Sequence, residues 1–448
     1  MPEKLNIYWL QIDAGALDTE WKQCTDEGKD VSPLAAEFER VKALDLEDPA
    51  NQPAAEALLD RTAALPVKED YPYVEPSDLA GIRAARPPAP DLPPVDQAAL
   101  PGRIHGAWLG RVCGCLLGKP VEGWRRPKMW GYLKDSGRWP LADYFTRKVP
   151  EKVLEDHKIE PSGPYIETVD CMPIDDDTNY TVCGLKLMQQ HGLGFSPIDV
   201  AKFWMSNLPL LVTCTAERVA YRNFAMNVPP PRSATFRNPF REWIGAQIRA
   251  DFFGYACPGN PELAAELAWR DASISHVKNG IYGEMWAAAM IATALVTDDV
   301  PTVIHAGLAQ IPARCRLAES MRLVMRWQTD GVGYDRAVEN IHERWDENQG
   351  HHWCHTISNA MIVAAGLLYG ELDYARSICR AVQPCFDTDC NGATVGSIVG
   401  AVLGAEALPE QWTAPVNDTL LTSLAGYNRV RISEMADQTV ALVRKLRG

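Results

Sequence analysis

The twelve cysteines include no C-x-x-C pair, and Cys113 and Cys115 stand at a spacing that suits neither a zinc site nor a disulfide. The first residues, MPEKLNIYWLQIDAG, contain acids and lack the long apolar core of a secretory leader. Reduced, buried thiols and a cytoplasmic chain are therefore expected. The most apolar windows, 285–296 and 360–368, are too short to span a bilayer. Neither GxGxxG nor GxxxxGK[ST] occurs, and strands do not alternate with helices, so a dinucleotide fold and a phosphate loop are unsupported. Clustered basic charge is scarce as well. With a net charge of -14 the chain is a poor partner for nucleic acid, and the short run Arg125, Arg126, Lys128 is expected on a solvated loop.

At 448 residues, 46% apolar and 23% charged, the composition is that of a soluble globular protein with one large domain or two ordinary ones. Residues 1–100 read as an N-terminal extension of unknown role. Leu5, Ile7, Tyr8, Trp9, Leu10 and Ile12 could form a short strand or an apolar anchor, and weakly helical stretches follow at 34–44 and 54–65. Pro87, Pro88, Pro90, Pro93 and Pro94 then prevent a helix and favour an extended connector. Beyond it, 101–448 reads as one all-α domain, with helical spacing at 197–211, 240–253, 260–276, 283–297, 300–311, 314–327, 334–343, 353–370 and 373–382.

Two stretches share an unusual feature. Glycines recur every fourth residue at 106, 110, 114 and 118, and again at 392, 396, 400 and 404. Each glycine costs an exposed helix about 1 kcal/mol relative to alanine, so two such faces imply helices whose backbones approach closely. Pro120 ends the first helix and leaves Glu122 on the loop just past it. Asp387 and Asp389, followed by Cys390 and Asn391, immediately precede the second glycine face. Asp175, Asp176 and Asp177 open another helix. One acid suits a helix N-terminus, but three exceed what capping needs and repel one another unless a cation lies among them. Clustered carboxylates of this kind suit a hard divalent ion.

Other groups are less decisive. His276, Asn279 and Gly280, in SISHVKNG, could meet a sugar or phosphate or could close a helix end. His351, His352 and His355 include an i, i+4 pair that would suit zinc, but the sequence supplies no third ligand. Asp251 could be polar core or could support a site.

Taken in order, GAWLGRVCGCLLGKPVEG, DDDT, SISHVKNGIYG and FDTDCNGATVGSIVGAVLGA resemble the ADP-ribosylglycohydrolase family, from about residue 103 to about residue 424. The resemblance implies an all-α orthogonal bundle whose cleft holds two divalent cations, Mg²⁺ or Mn²⁺. It places the metal-binding positions at Asp175, Asp176, Asp177, Asp387, Asp389 and Cys390, with Glu122 activating or positioning water. His276, Asn279, Gly280 and Asn391 would contact substrate. Two positions depart from the family pattern: Asp175 and Cys390 each replace a hydroxyl residue, and a thiol is a poor ligand for Mg²⁺. The implied reaction is hydrolysis of a glycosidic bond at ribose C1, with an ADP-ribosylated protein or a small ribosylated molecule as substrate. A nucleoside-type hydrolase and a catalytically silent binding homologue are the alternatives. The first is distinguished by its substrates and the second by a lack of divalent-ion binding.

Overall fold

Every fourth residue of the helix at Leu100–Gly118 is glycine from Gly106 onward, and the reason lies in its neighbour, the helix at Thr388–Leu403. A methyl added at Gly106, Gly110, Gly114 or Gly118 would overlap the carbonyl oxygen of Gly400, Gly396, Gly392 or Thr388, respectively. The reverse holds for Gly392, Gly396 and Gly400 against Gly114, Gly110 and Gly106. The two helices run antiparallel with backbone against backbone. This places the end of the first helix, just before Glu122, beside the start of the second, at Asp387 and Asp389.

The computed structural model describes residues 7–447. It is built from α-helices, with one short antiparallel ribbon pairing Thr419–Leu421 with Arg429–Arg431. Seven helices carry the discussion: α1 (Ala14–Asp26), α2 (Leu100–Gly118), α3 (Asp176–His191), α4 (Lys278–Ala294), α5 (Gly350–Cys354), α6 (Thr356–Gly370) and α7 (Thr388–Leu403). The glycine-faced pair α2 and α7 lies in the centre, and α4 and α6 are buried along almost their whole length. All twelve cysteines are free, and only Cys214 is not buried. No helix of the described residues is long and apolar enough to cross a membrane.

The first hundred residues are bound to the rest by charge as well as by apolar packing. Leu17, Phe38, Leu58 and Ile82 join the same contiguous core as the central helices. Glu20 on α1 and Glu27 just past its end grip the buried Arg241 at 2.6 and 2.9 Å, and Gln23 on α1 donates to Glu242 at 2.8 Å. Further on, Glu75 and Glu242 together hold Arg316 at 2.9 and 2.7 Å. The connector from Arg86 through Pro94 has no regular secondary structure, as its prolines require.

Several expectations need correcting. Residues 7–10 form a turn rather than a strand, and Leu5 lies outside the described residues. The segment 240–253 is mostly irregular, ending in a single 3₁₀ turn and the start of a short helix. Its Arg241, Glu242, Gln247, Arg249 and Asp251 all point into the protein, so no face is left for solvent, and Gly245 is where the Glu217 carboxylate presses against the backbone. The basic run is not simply solvated: Arg125 lies over the ring of Trp353 at 5.2 Å, Arg126 over Trp130 at 5.4 Å and Lys128 over Trp124 at 4.5 Å. The helix at Thr215–Ala225 and the final one at Ile432–Arg447 were not anticipated.

Three substitutions test this packing by their effect on stability. Gly114→Ala should destabilise the protein by at least ~1–3 kcal/mol in urea unfolding, because backbone rather than a movable side chain blocks the methyl. Gly102→Ala, with nothing near the added carbon, should be neutral or slightly stabilising. Arg241→Ala should cost about 3–5 kcal/mol, since it strands the buried Glu20 and Glu27; a loss under ~1 kcal/mol would show that the charge clamp is not what holds α1.

Candidate functional site

The carboxylates of three separate stretches converge where α2, α3 and α7 meet. Asp175 caps α3, accepting from the Asp177 amide at 2.9 Å, while its second oxygen takes the Lys119 ammonium at 2.6 Å. Asp177 is fully buried. Its Oδ1 accepts from Arg111 at 2.9 Å, and Arg111 also pairs with Asp251 at 2.7 Å. This places Asp251 behind the site, where it balances the guanidinium. Asp177 Oδ2 is buried without a hydrogen-bond partner. The Cys115 thiol lies within 4.8 Å of oxygens of both Asp175 and Asp177. Three residues along α2, or about 5 Å of helix rise, Gly118 lies against the backbone of Thr388 and Asp389. That single turn joins the two acidic stretches.

Asp387, Asp389 and Cys390 form the other side, with ligand-type atoms within 4.8 Å of one another. The Asp387 amide donates to Asn359 Oδ1 at 3.0 Å, and the same oxygen accepts from Asn391 Nδ2 at 2.8 Å. Asn391 Oδ1 is buried and unpaired, a spare acceptor. The chain enters this turn through Cys385 and Phe386, both in the left-handed region at φ +70° and +61°. Neither residue favours that region, and an aromatic residue there is strained. The strain sits immediately before the acid pair, and composition gives no sign of it.

The electrostatics record how close these groups are. Glu122, at the rim, has its carboxyl pushed well above the usual range, first by Asp389, then by the crowding of solvent around the carboxyl group and by Asp176 and Asp175, with Lys119 opposing. Burial and Asp175 raise Asp176 to about 7, and burial and Asp175 raise Asp389 to about 6. Asp387 and Asp177 are driven up mainly by burial, with Arg111 pulling Asp177 back. Lys119 and Arg111 do not balance Asp175, Asp176, Asp177, Asp387, Asp389 and Glu122. This excess of hard oxygen donors, with Asp177 Oδ2 unpaired, fits a divalent cation. Cys390 fits less well: burial, then Asp177, push its thiol up, so it stays protonated.

Not every expected residue reaches this place. Asn279 spends its amide on the protein, donating to Glu75 at 2.8 Å and Glu242 at 3.0 Å and accepting from the Leu317 amide at 3.0 Å. His276 is buried against Ser275, and Gly280 gives room to the Arg241 carbonyl. Asn279 and Gly280 thus serve the seat of the N-terminal segment, and His276 is spent on Ser275. The histidines prove unsuited to zinc as well. His351 Nδ1 accepts from the Trp243 indole at 3.0 Å, and His355 Nδ1 accepts from the Ile357 amide at 3.1 Å. In neutral rings the proton is then on Nε2, which in His351 meets Asp26 at 2.9 Å, whereas a ligating histidine donates through its other nitrogen. Sequence reasoning missed Arg111, Lys119 and Asn359. An arginine inside an otherwise small and apolar helix, as in GAWLGRVCG, was the available signal for the first.

Against known proteins, the family model described as ADP-ribosylglycohydrolase matches residues 96–447. The chain belongs to the ADP-ribosylglycohydrolase family. Membership implies glycohydrolase chemistry on ADP-ribose-like substrates, in a family that is generally metal-dependent. A solved structure titled "ADP-ribosylglycohydrolase-related protein complex" is similar at 19% identity, covering 78% of this chain and 99% of its own, with a TM-score of 0.45. The comparison with curated proteins finds no match.

Because Asp176 and Asp389 hold protons more tightly when folded than an ordinary carboxylate near 4, the folded chain binds extra protons between about pH 4 and pH 7. Stability in EDTA should therefore fall as pH rises through that window. Added Mg²⁺ should raise the melting temperature more at pH 8 than at pH 5; an equal rise at both would show that these acids do not bind it.

Proposed function

We propose that this protein is a divalent-cation-dependent hydrolase that cleaves an N- or O-glycosidic bond at ribose C1 of an ADP-ribosylated substrate. The observation that carries the reading is the convergence of Asp176, Asp177, Asp387 and Asp389 beside Glu122, with an unbalanced negative charge and an unpaired buried oxygen on Asp177. These four aspartates would hold two Mg²⁺ or Mn²⁺ ions, with Asp175 contributing from the helix cap. When bound, such ions supply charge neutralisation and Lewis acidity. Cys390 fills space next to them.

The chain's own groups divide the remaining work. Glu122 stands free at the rim, where a carboxylate can take a proton from an attacking water. Departure of the leaving group gives the ribose oxocarbenium character, and the surrounding carboxylates favour positive charge at C1. Asn391 Oδ1, held in place through Asn359, accepts a hydrogen bond from a sugar hydroxyl. Arg111 and Lys119 hold the Asp177 and Asp175 carboxylates in orientation.

Asp387→Asn or Asp389→Asn should abolish both turnover and Mg²⁺ binding by calorimetry. Glu122→Gln should lower kcat about 10²–10⁴-fold while leaving metal binding intact. The substrates to compare are ADP-ribosyl-arginine, ADP-ribosyl-serine and a nucleoside panel. Full turnover by Asp387→Asn, or no divalent-ion binding by the native chain, would refute the reading.

A further inference from the structure

Two groups of side chains in the acidic site bring a thiol close to a pair of carboxylates. In Cys115, Asp175 and Asp177, and again in Asp387, Asp389 and Cys390, one donor atom from each residue lies within 4.8 Å of the others. The first group already has positive charge. Lys119 holds Asp175 at 2.6 Å, Arg111 holds Asp177 at 2.9 Å, and the other Asp175 oxygen accepts from the Asp177 amide. The second group has none. Among the described residues, neither Asp387 nor Asp389 lies within ion-pair distance of a lysine or arginine.

The second group is also held in place. The Asp387 amide donates to Asn359 at 3.0 Å, the Cys390 amide donates to Asp389 Oδ1 at 3.1 Å, and Gly118 and Gly392 fix this turn of α7 against α2. Zinc bonds of about 2.0–2.2 Å to oxygen and about 2.3 Å to sulfur keep ligand atoms within ~4.5 Å of one another. Small side-chain rotations of the three residues meet that limit. Asp177 offers a fourth donor. Of the surrounding carboxylates it acts most strongly on the Cys390 thiol, and its Oδ2 is fully buried with no hydrogen-bond partner. A buried oxygen in that state points to a ligand that the protein's own donors do not supply. One sulfur among carboxylates is not a magnesium set, because Mg²⁺ takes oxygens and water. Thiolates select zinc, which also binds N, O and S donors more tightly than Mn²⁺ does. Cys390 stands where the family pattern has a hydroxyl residue, so the sulfur is this chain's own.

We propose that Asp387, Asp389 and Cys390, joined by Asp177 Oδ2, form a site for a thiophilic divalent ion, Zn²⁺ by its chemistry, which excludes Mg²⁺ and Mn²⁺ from the same aspartates. The thiol proton leaves to solvent as the zinc–sulfur bond forms. The exclusion rests on the hydrolase reading's assignment of those ions; the binding of zinc does not. The full chain is titrated calorimetrically with Zn²⁺, and with Cd²⁺ to read the sulfur-to-cadmium charge-transfer band in the ultraviolet. Native protein should bind Zn²⁺ more tightly than Mg²⁺ and show the band. Cys390→Ser should lose the band and weaken Zn²⁺ binding at least ~100-fold, beyond the ~10–100-fold cost of losing a supporting partner, with Mg²⁺ binding kept. Should Cys390→Ser fail to fold, Cys390→Ala removes the sulfur with the same expected loss. Cys214→Ser, which alters the one cysteine that is not buried, should change neither readout. Unchanged zinc affinity in the Cys390 variant, or no charge-transfer band in the native chain, would overturn the proposal. Sulfur-bound zinc in a chain without Mg²⁺-dependent turnover would sink the hydrolase reading alone, and such turnover without sulfur-bound zinc would sink this one alone.

Discussion

Backbone contact between α2 and α7 is the constraint from which the site follows. Helices usually pack through side chains, with axes 8–10 Å apart and some freedom to slide. Here glycines interlock with the carbonyls of the partner helix at four successive turns, from Gly106 opposite Gly400 to Gly118 opposite Thr388. A shift of one residue would put Cβ atoms into those carbonyls. The register is therefore rigid, and residues more than 260 positions apart in sequence, Glu122 and Asp389, are held within each other's field. Tyr374 donates to the Gly110 carbonyl at 2.8 Å, and Tyr255 to that of Ala107 at 3.2 Å, using acceptors that the close approach would otherwise crowd.

A rigid frame matters because the site it holds is electrostatically unfavourable. Like-charged carboxylates in a buried pocket raise one another's proton affinity and favour any rearrangement that separates them. Several features resist such a change. Lys119 and Arg111 project from α2 itself and bind Asp175 and Asp177, Asn359 fixes the entry of α7, and Cys385 and Phe386 are held in the left-handed region by the packing around them. The ring of Phe386 lies 4.7 Å from that of His342, and this contact keeps it in place. Strain and repulsion are both concentrated within a few residues of Asp387, where a bound cation would relieve the repulsion.

Much of this was legible in the sequence. The every-fourth glycines gave the helix pair, the acidic stretches gave the cluster, and Pro120 gave the position of Glu122 on a loop. These signals are local, and periodicity or spacing carries them. What could not be read depends on pairings across long separations. Nothing near Arg241 or Arg316 announces that Glu20, Glu27 and Glu75 will neutralise them, and without those partners 240–253 looks like an ordinary amphipathic helix. For the histidines, residue type and spacing suggested a metal, whereas the hydrogen bonds to Nδ1 decide the tautomer and so the role.

The same pairings change the status of the first hundred residues. A loosely attached extension would meet the body through a modest apolar patch, and its polar groups would face water. Instead the body presents buried guanidinium groups that have too few acids of their own: Glu242 alone would serve Arg316, and no body carboxylate pairs with Arg241 among the described residues. Removing one partner from such a pair leaves an uncompensated buried charge, which costs far more than an exposed ion pair contributes. Asn279, in the stretch that resembles a ligand-binding loop, is likewise completed by Glu75. The N-terminal segment is thus part of the folded unit, held in register by its acids.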